Sequence, residues 1–261
     1  MKHLLDSLNK IREIIDKFDQ IALFLDYDGT LVPFKNRPEY ATPPQALIKL
    51  LRTLADAPQF VVSIVSGRPI ADLKKMLPIN GLSFFGLHGL EIEFLGKTFV
   101  WEKATDLKPI VRKIKEKLVA RFSEEEGVLI EDKVLTLTLH YRMLKGEKAE
   151  YVKHDFLQIV SQENNGELEI IAGAKVLEVR PRGWHKGKAV QLALKDLSNV
   201  LPFYIGDDTT DEDAFRTIDN GITVRVSNSR ERTHAKFYLR NTDEVITFLN
   251  WLLEVKDEAQ S

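Results

Sequence analysis

The stretch IALFLDYDGTL, Ile21–Leu31, decides the fold. Its first five residues are a continuous apolar run that stops at Asp26. A run of that length without polar alternation suits a strand buried on both faces. In open α/β sheets, ligands bind beyond the carboxyl ends of the strands, so Asp26 and Asp28 stand where chemistry is expected. The pattern then repeats. A helix is expected over TPPQALIKLLRTLADAP, with Thr42 as its cap and prolines in its first turn. Phe60–Val65 is a second buried strand, followed by Ser66-Gly67-Arg68-Pro69 and a helix through Met76. Ser83–Leu87 is a third apolar stretch and runs into His88-Gly89. Strand and helix alternating through short connections imply right-handed βαβ units and a parallel sheet.

On the N-terminal side, Leu4, Leu8, Ile11, Ile15 and Phe18 form one stripe of an amphipathic helix within residues 1–19. The middle of the chain differs. A hairpin around Gly96-Lys97, charged helices near 107–125 and 147–161, and alternating strands near 128–131, 134–141, 168–171 and 175–179 suggest a small α+β sheet. After Lys186 the α/β alternation returns. The expected architecture is an α/β, Rossmann-like parallel core over 1–103 and 175–261, with an inserted α+β cap over 104–174. The connections near Lys103–Thr105 and Ala172–Lys175 are the expected hinges of a lid that closes over the substrate.

The 261 residues include no cysteine, which rules out disulfides, a thiolate nucleophile and cysteine-ligated metals. Lysine plus arginine number 37 against 39 acidic residues, a net charge of −2 that argues against a nucleic-acid partner. No stretch approaches an apolar membrane span, and the N-terminus lacks the apolar core of a signal peptide. A cytoplasmic monomer, away from membranes, is the expectation.

Four strand ends carry polar signatures: Asp26-Tyr-Asp28-Gly-Thr30, Ser66-Gly-Arg68, His88-Gly89 and GDDTTDED at 206–213. Lys186-Gly187 opens a helix at the same edge. Asp26 and Asp207 could bind Mg2+ through hard oxygen ligands. Lys186 and Ser66 would then help offset the charge of a phosphate monoester. Asp26 could attack phosphorus, and Asp28, two residues on, could protonate the leaving oxygen. Each piece alone has an ordinary structural use. An aspartate at a strand end often caps a turn, and an acidic run favours a helix N-terminus. The joint order at the strand ends is what points to phosphoryl transfer. A phosphate-accepting receiver module shares the strand-end aspartate, but Asp28 and the inserted cap count against it.

DYDGTL at 26–31, Ser66, Lys186 and GDDTTDED at 206–213 resemble the four motifs of the haloacid-dehalogenase-like (HAD) phosphatases. That resemblance implies a HAD core with Asp26 as nucleophile, Asp28 as acid/base, and Ser66 and Lys186 as phosphate binders. It also implies magnesium held by Asp26, the Asp28 carbonyl and Asp207, supported by Asp208 and Asp211.

The substrate reading rests on the cap, whose carboxylates and cations could hydrogen-bond sugar hydroxyls or could simply be a solvated sheet face. SGRP, GLHGLEIE, E-x-K at 131–133, HYR at 140–142, E-x-RP at 178–181 and GDDTTDEDAF are similar to the trehalose-6-phosphate phosphatases. By that resemblance, Glu131, Lys133 and Glu178 contact the disaccharide from the cap, and Arg68, His88 and Gly89 lie on the substrate side of the core. The implied reaction is magnesium-dependent hydrolysis of trehalose 6-phosphate, a step of trehalose biosynthesis. The alternatives are a phosphatase for sucrose 6-phosphate or a glucosyl- or mannosyl-phosphoglycerate, and a non-catalytic sugar-phosphate-binding protein.

Overall fold

The computed structural model describes residues 1–35, 40–173, 175–229 and 232–258, the side chains of 257 and 258 excepted. Two compact units result, Met1–Phe99 with His185–Ser261, and Val100–Trp184. In chain order the first part supplies β1 (Lys2–His3), α1 (Leu8–Ile15), β2 (Gln20–Asp26), α2 (Gln45–Asp56), β3 (Phe60–Val65), α3 (Ile70–Met76), β4 (Ser83–Gly86), β5 (Glu91–Phe94) and β6 (Lys97–Val100). The smaller unit holds α4 (Glu102–Asp106), α5 (Lys108–Phe122), β7 (Leu129–Asp132), β8 (Leu137–His140), α6 (Gly146–Glu163), β9 (Leu168–Gly173) and β10 (Val176–Pro181). The chain then returns with α7 (Lys186–Leu194), β11 (Val200–Gly206), α8 (Glu212–Thr217), β12 (Ile222–Val226), β13 (Phe237–Leu239) and α9 (Thr242–Glu258).

Among the described residues, nine strands form one sheet in the order β1-β13-β12-β11-β2-β3-β4-β5-β6. All neighbours from β1 to β4 run parallel, and β5 turns antiparallel to β4. The apolar run at 21–25 is explained by its place: β2 sits between β11 and β3, and every residue from Ile21 to Asp26 is buried. Ile21, Leu23 and Leu25 join the large core cluster on one face. Register does the rest. Leu25 lies beside Ile205 and Asp26 beside Val65, so Asp207 and Ser66 leave the sheet on either side of Asp26.

The expected stripe at the N-terminus packs as read, with Leu4, Ile11 and Ile15 fully buried. The Lys256 ammonium donates to the Phe18 carbonyl at 2.9 Å, satisfying backbone oxygen just past the end of α1. The strand Lys2–His3, which pairs with β13, was not expected. Thr42 does not cap α2, whose flanking residue is Pro44.

The smaller unit is a four-stranded antiparallel sheet, β7-β8-β10-β9, with α5 and α6 on one face. Leu137, Leu139, Leu177 and Val179 point into that core beside Val111, Ile114, Val152 and Phe156. It runs from Val100 to Trp184 and so extends beyond 104–174 at both ends; at the C-terminal end this is because β10 pairs with β8 and β9. Neither expected hinge is a connection between units. Lys103–Thr105 lies in α4. Of 172–175, Ala174 lies outside the described residues, and Gly173 faces Val176 where β9 turns into β10 of the same sheet. Among the described residues, no helix is long and apolar enough to cross a membrane.

Candidate active site

At the carboxyl end of the parallel sheet, three carboxylates converge. One oxygen each from Asp26, Asp207 and Asp211 lie within 4.8 Å of one another. Lys186, at the start of α7 and buried, donates to Asp26 Oδ1 and to Asp211 Oδ1, both at 2.7 Å. The buried Tyr204 hydroxyl donates to the same Asp211 oxygen at 2.7 Å, and the Asp208 amide to its other oxygen at 2.9 Å. Asp211 is therefore heavily engaged as an acceptor, whereas Asp207 accepts Thr30 Oγ1 at 3.2 Å. Gly29 allows this approach: at φ +88°, a Cβ there would overlap the Asp207 carboxylate.

The charges do not balance. Burial pushes the Asp26 carboxyl well up from its ordinary value; Lys186 opposes that, and Asp211 and Asp207 push it further up. Burial, then Asp211, pushes Asp207 up to about 7. Burial disfavours the Lys186 charge, but Asp211 and Asp26 outweigh it and hold the ammonium above its usual value. Three carboxylates around one ammonium form a hard, oxygen-only, over-negative donor set, which fits a divalent cation.

Not every expected residue joins this set. Asp208 does not bring its carboxylate in. Its Oδ1 takes the Thr209 amide at 2.7 Å, capping the turn before α8. The Asp28 carboxylate faces Arg68, which grips both its oxygens: Nε to Oδ2 at 2.6 Å and Nη2 to Oδ1 at 2.7 Å. Arg68, expected on the substrate, is thus bonded to Asp28. Ser66 is buried at the end of β3, and its Oγ accepts the Arg68 amide at 3.2 Å. His88 and Gly89 are buried in the turn after β4, and the His88 amide donates to the Ser66 carbonyl at 2.9 Å.

The smaller unit gathers its expected residues on the sheet face opposite α5 and α6. Thr138 of β8 lies between Glu131 of β7 and Glu178 of β10 in register. Lys133 Nζ stands 3.6 Å from Glu178 Oε1 and 4.0 Å from Glu131 Oε2. His140 Nε2 lies 2.8 Å from Glu131 Oε2. Burial pushes the Glu131 carboxyl up, but the hydrogen bond from His140 and the Lys133 charge prevail and hold it below its usual value. Paired carboxylates and cations on one face can each accept from or donate to a hydroxyl-rich ligand.

Two supporting groups, Tyr204 and Arg225, escaped the sequence reading, and Thr30 stood in its strand-end signature without a role. Arg225 donates to the Asp208 carbonyl and to Glu212 Oε1, both at 3.1 Å. Tyr204 had a usable signal, since a tyrosine inside a central strand needs a partner for its hydroxyl.

The trehalose-phosphatase family model matches residues 24–243. A probable trehalose-phosphate phosphatase E of Arabidopsis thaliana is 32% identical over 270 residues, covering 96% of this chain and 75% of that protein. Among solved structures, a trehalose-6-phosphate phosphatase related protein superposes with a TM-score of 0.79 at 26% identity, over 91% of this chain and 99% of that one. The Aspergillus fumigatus trehalose-6-phosphate phosphatase does so with a TM-score of 0.66 at 27% identity, over 94% and 97%. The chain belongs to the trehalose-phosphatase family.

Proposed function

We propose that this protein is a magnesium-dependent phosphatase that hydrolyses trehalose 6-phosphate to trehalose and inorganic phosphate. The observation that carries the chemistry is Asp26, buried, bonded to Lys186, with Asp207 alongside and Asp28 two residues on. Asp26 attacks phosphorus, the bond from phosphorus to the sugar oxygen breaks, and Asp28 gives that oxygen its proton. Asp28 then takes a proton from the water that attacks the aspartyl-phosphate, which returns Asp26 and releases phosphate. Lys186 steadies the charge on Asp26 and the transferring group, and Ser66 offers the phosphate a hydroxyl. Asp26 and Asp207 would hold the magnesium ion, with Asp211 fixing Lys186 beside it. When bound, the ion supplies the positive charge that lets a phosphate dianion enter an acidic cluster.

Substrate choice is assigned to Glu131, Lys133 and Glu178, supported by their clustering on one polar sheet face and by the family. The test is phosphate release from trehalose 6-phosphate, sucrose 6-phosphate and glucosyl- and mannosyl-phosphoglycerate, with and without magnesium. Preference for trehalose 6-phosphate, lost on chelation, is expected. Better turnover of another member would overturn the substrate assignment and leave the class standing.

A further inference from the structure

Immediately after β4 the backbone turns left-handed at three successive residues: Leu87 at φ 51°, His88 at φ 59° and Gly89 at φ 87°. For leucine and histidine that conformation is unfavourable and persists only where the surroundings hold it. Here the hold comes from the Ser66–Arg68 loop. The Leu87 amide donates to the Arg68 carbonyl at 3.0 Å, and the His88 amide to the Ser66 carbonyl at 2.9 Å. Between them sits Gly67. A Cβ added there would meet His88 Nε2 at 2.8 Å and Cε1 at 2.9 Å, so the imidazole lies directly against the Gly67 backbone. The His88 residue is only 7% exposed. Farther along the loop, Glu91 Oε1 takes the Ile70 amide at 2.6 Å, tying the start of α3 to β5. From this braced loop extends the Arg68 side chain, with both Asp28 oxygens in its grip.

We propose that His88 is a positioning residue. Its ring braces Gly67, so that Arg68 holds Asp28 where it can protonate the leaving oxygen. This rests on Asp28 being the acid, as proposed above. In the step concerned, an Asp26 oxygen bonds to phosphorus and the bond from phosphorus to the sugar oxygen breaks. Its electron pair stays on the sugar oxygen, and the proton on Asp28 moves there.

The leaving group distinguishes this role from a merely structural one. A sugar alkoxide needs the proton, whereas 4-nitrophenolate departs without it. His88→Ala is expected to lower kcat on trehalose 6-phosphate by about 10- to 100-fold with KM little changed. Its first-turnover burst of 4-nitrophenolate, released before Asp28 acts as base toward water, should stay within about threefold of the parent. His88→Asn tolerates the left-handed backbone but lacks the ring, and should behave alike. Gly67→Ala should show the same selectivity, because its new methyl displaces the imidazole. Combined with His88→Ala it should cost nothing further, because the group it strikes is gone.

Asp28→Asn is the reference. If it slows the first-turnover release of both leaving groups equally, the assignment of Asp28 as acid fails. If it is selective in that release but His88→Ala slows both leaving groups equally, or raises only KM for trehalose 6-phosphate, the positioning role of His88 is overturned. Additive losses in the double variant would likewise refute the contact through Gly67. Melting temperatures, measured for every variant, confirm that each compared protein is folded.

Discussion

Arg68 and Asp28, 40 residues apart in the chain, meet in a two-point ion pair, Nε to Oδ2 at 2.6 Å and Nη2 to Oδ1 at 2.7 Å. A planar fork on a planar carboxylate fixes its orientation as well as its position, which a lysine cannot do. Arg68→Lys is therefore expected to lower kcat on trehalose 6-phosphate by about 10- to 100-fold while KM moves little. A variant whose KM rises and whose kcat holds would place Arg68 on the substrate instead.

Asp207 and Asp211 differ in what they hold. Asp211 accepts Lys186, Tyr204 and the Asp208 amide, so Asp211→Asn leaves a buried ammonium without one of its carboxylates. That change should cost about 3–5 kcal/mol of stability, read by denaturant unfolding. Asp207→Asn should leave the fold intact but weaken magnesium binding by about 100-fold, read by calorimetry on the metal-free protein. The reverse assignment of effects would contradict the division of labour drawn here.

Acidity should govern the metal-free protein. The folded Asp207 carboxyl is pushed up to about 7 from an ordinary 3.8, so between those pH values the native state binds more protons than the unfolded state. Stability contributed by that proton is present at low pH and is lost as pH rises toward 7. In chelator, the melting temperature should fall from pH 5 to pH 8. Asp207→Asn should flatten the decline, and saturating magnesium should reverse it. A melting temperature that rises across that range, after allowance for other groups by means of the variant, would contradict the crowded-carboxylate picture.

On the smaller unit, Lys133 and Glu178 are close enough to pair, at 3.6 Å, on the face away from its apolar core. Lys133→Ala and Glu178→Gln should raise KM for trehalose 6-phosphate by about 10-fold or more, since each leaves its partner short of a contact. Turnover of 4-nitrophenyl phosphate, which has no sugar hydroxyls, should be unaffected. Equal effects on both substrates would remove these residues from sugar recognition.

How much of this was legible depended on range. The run Ile21–Leu25 announced a central strand because burial on both faces leaves no polar alternation, and that fixed the sheet and the edge where Asp26 stands. Lys2–His3 was invisible because two residues have no periodicity. The strand Val176–Pro181 was read near its true place and into the small sheet by its polar alternation, and only the boundary drawn at 174 cut it off from that sheet. Within the acidic run 206–213, composition could not tell Asp208, which caps a turn, from Asp211, which sits on Lys186. The Arg68–Asp28 pair was unreadable for the same reason: both residues were singled out, and only the fold brings them together.

The most direct test of the account traps the covalent step. Protein turning over trehalose 6-phosphate in magnesium is quenched and reduced with borohydride, which converts an aspartyl-phosphate to homoserine, and is then mapped by peptide mass spectrometry. The expected result is homoserine at position 26, dependent on substrate and absent from Asp26→Asn, which should also release no phosphate. Phosphate release by Asp26→Asn, or reduction at another carboxylate, would contradict the assignment of Asp26 as the nucleophile.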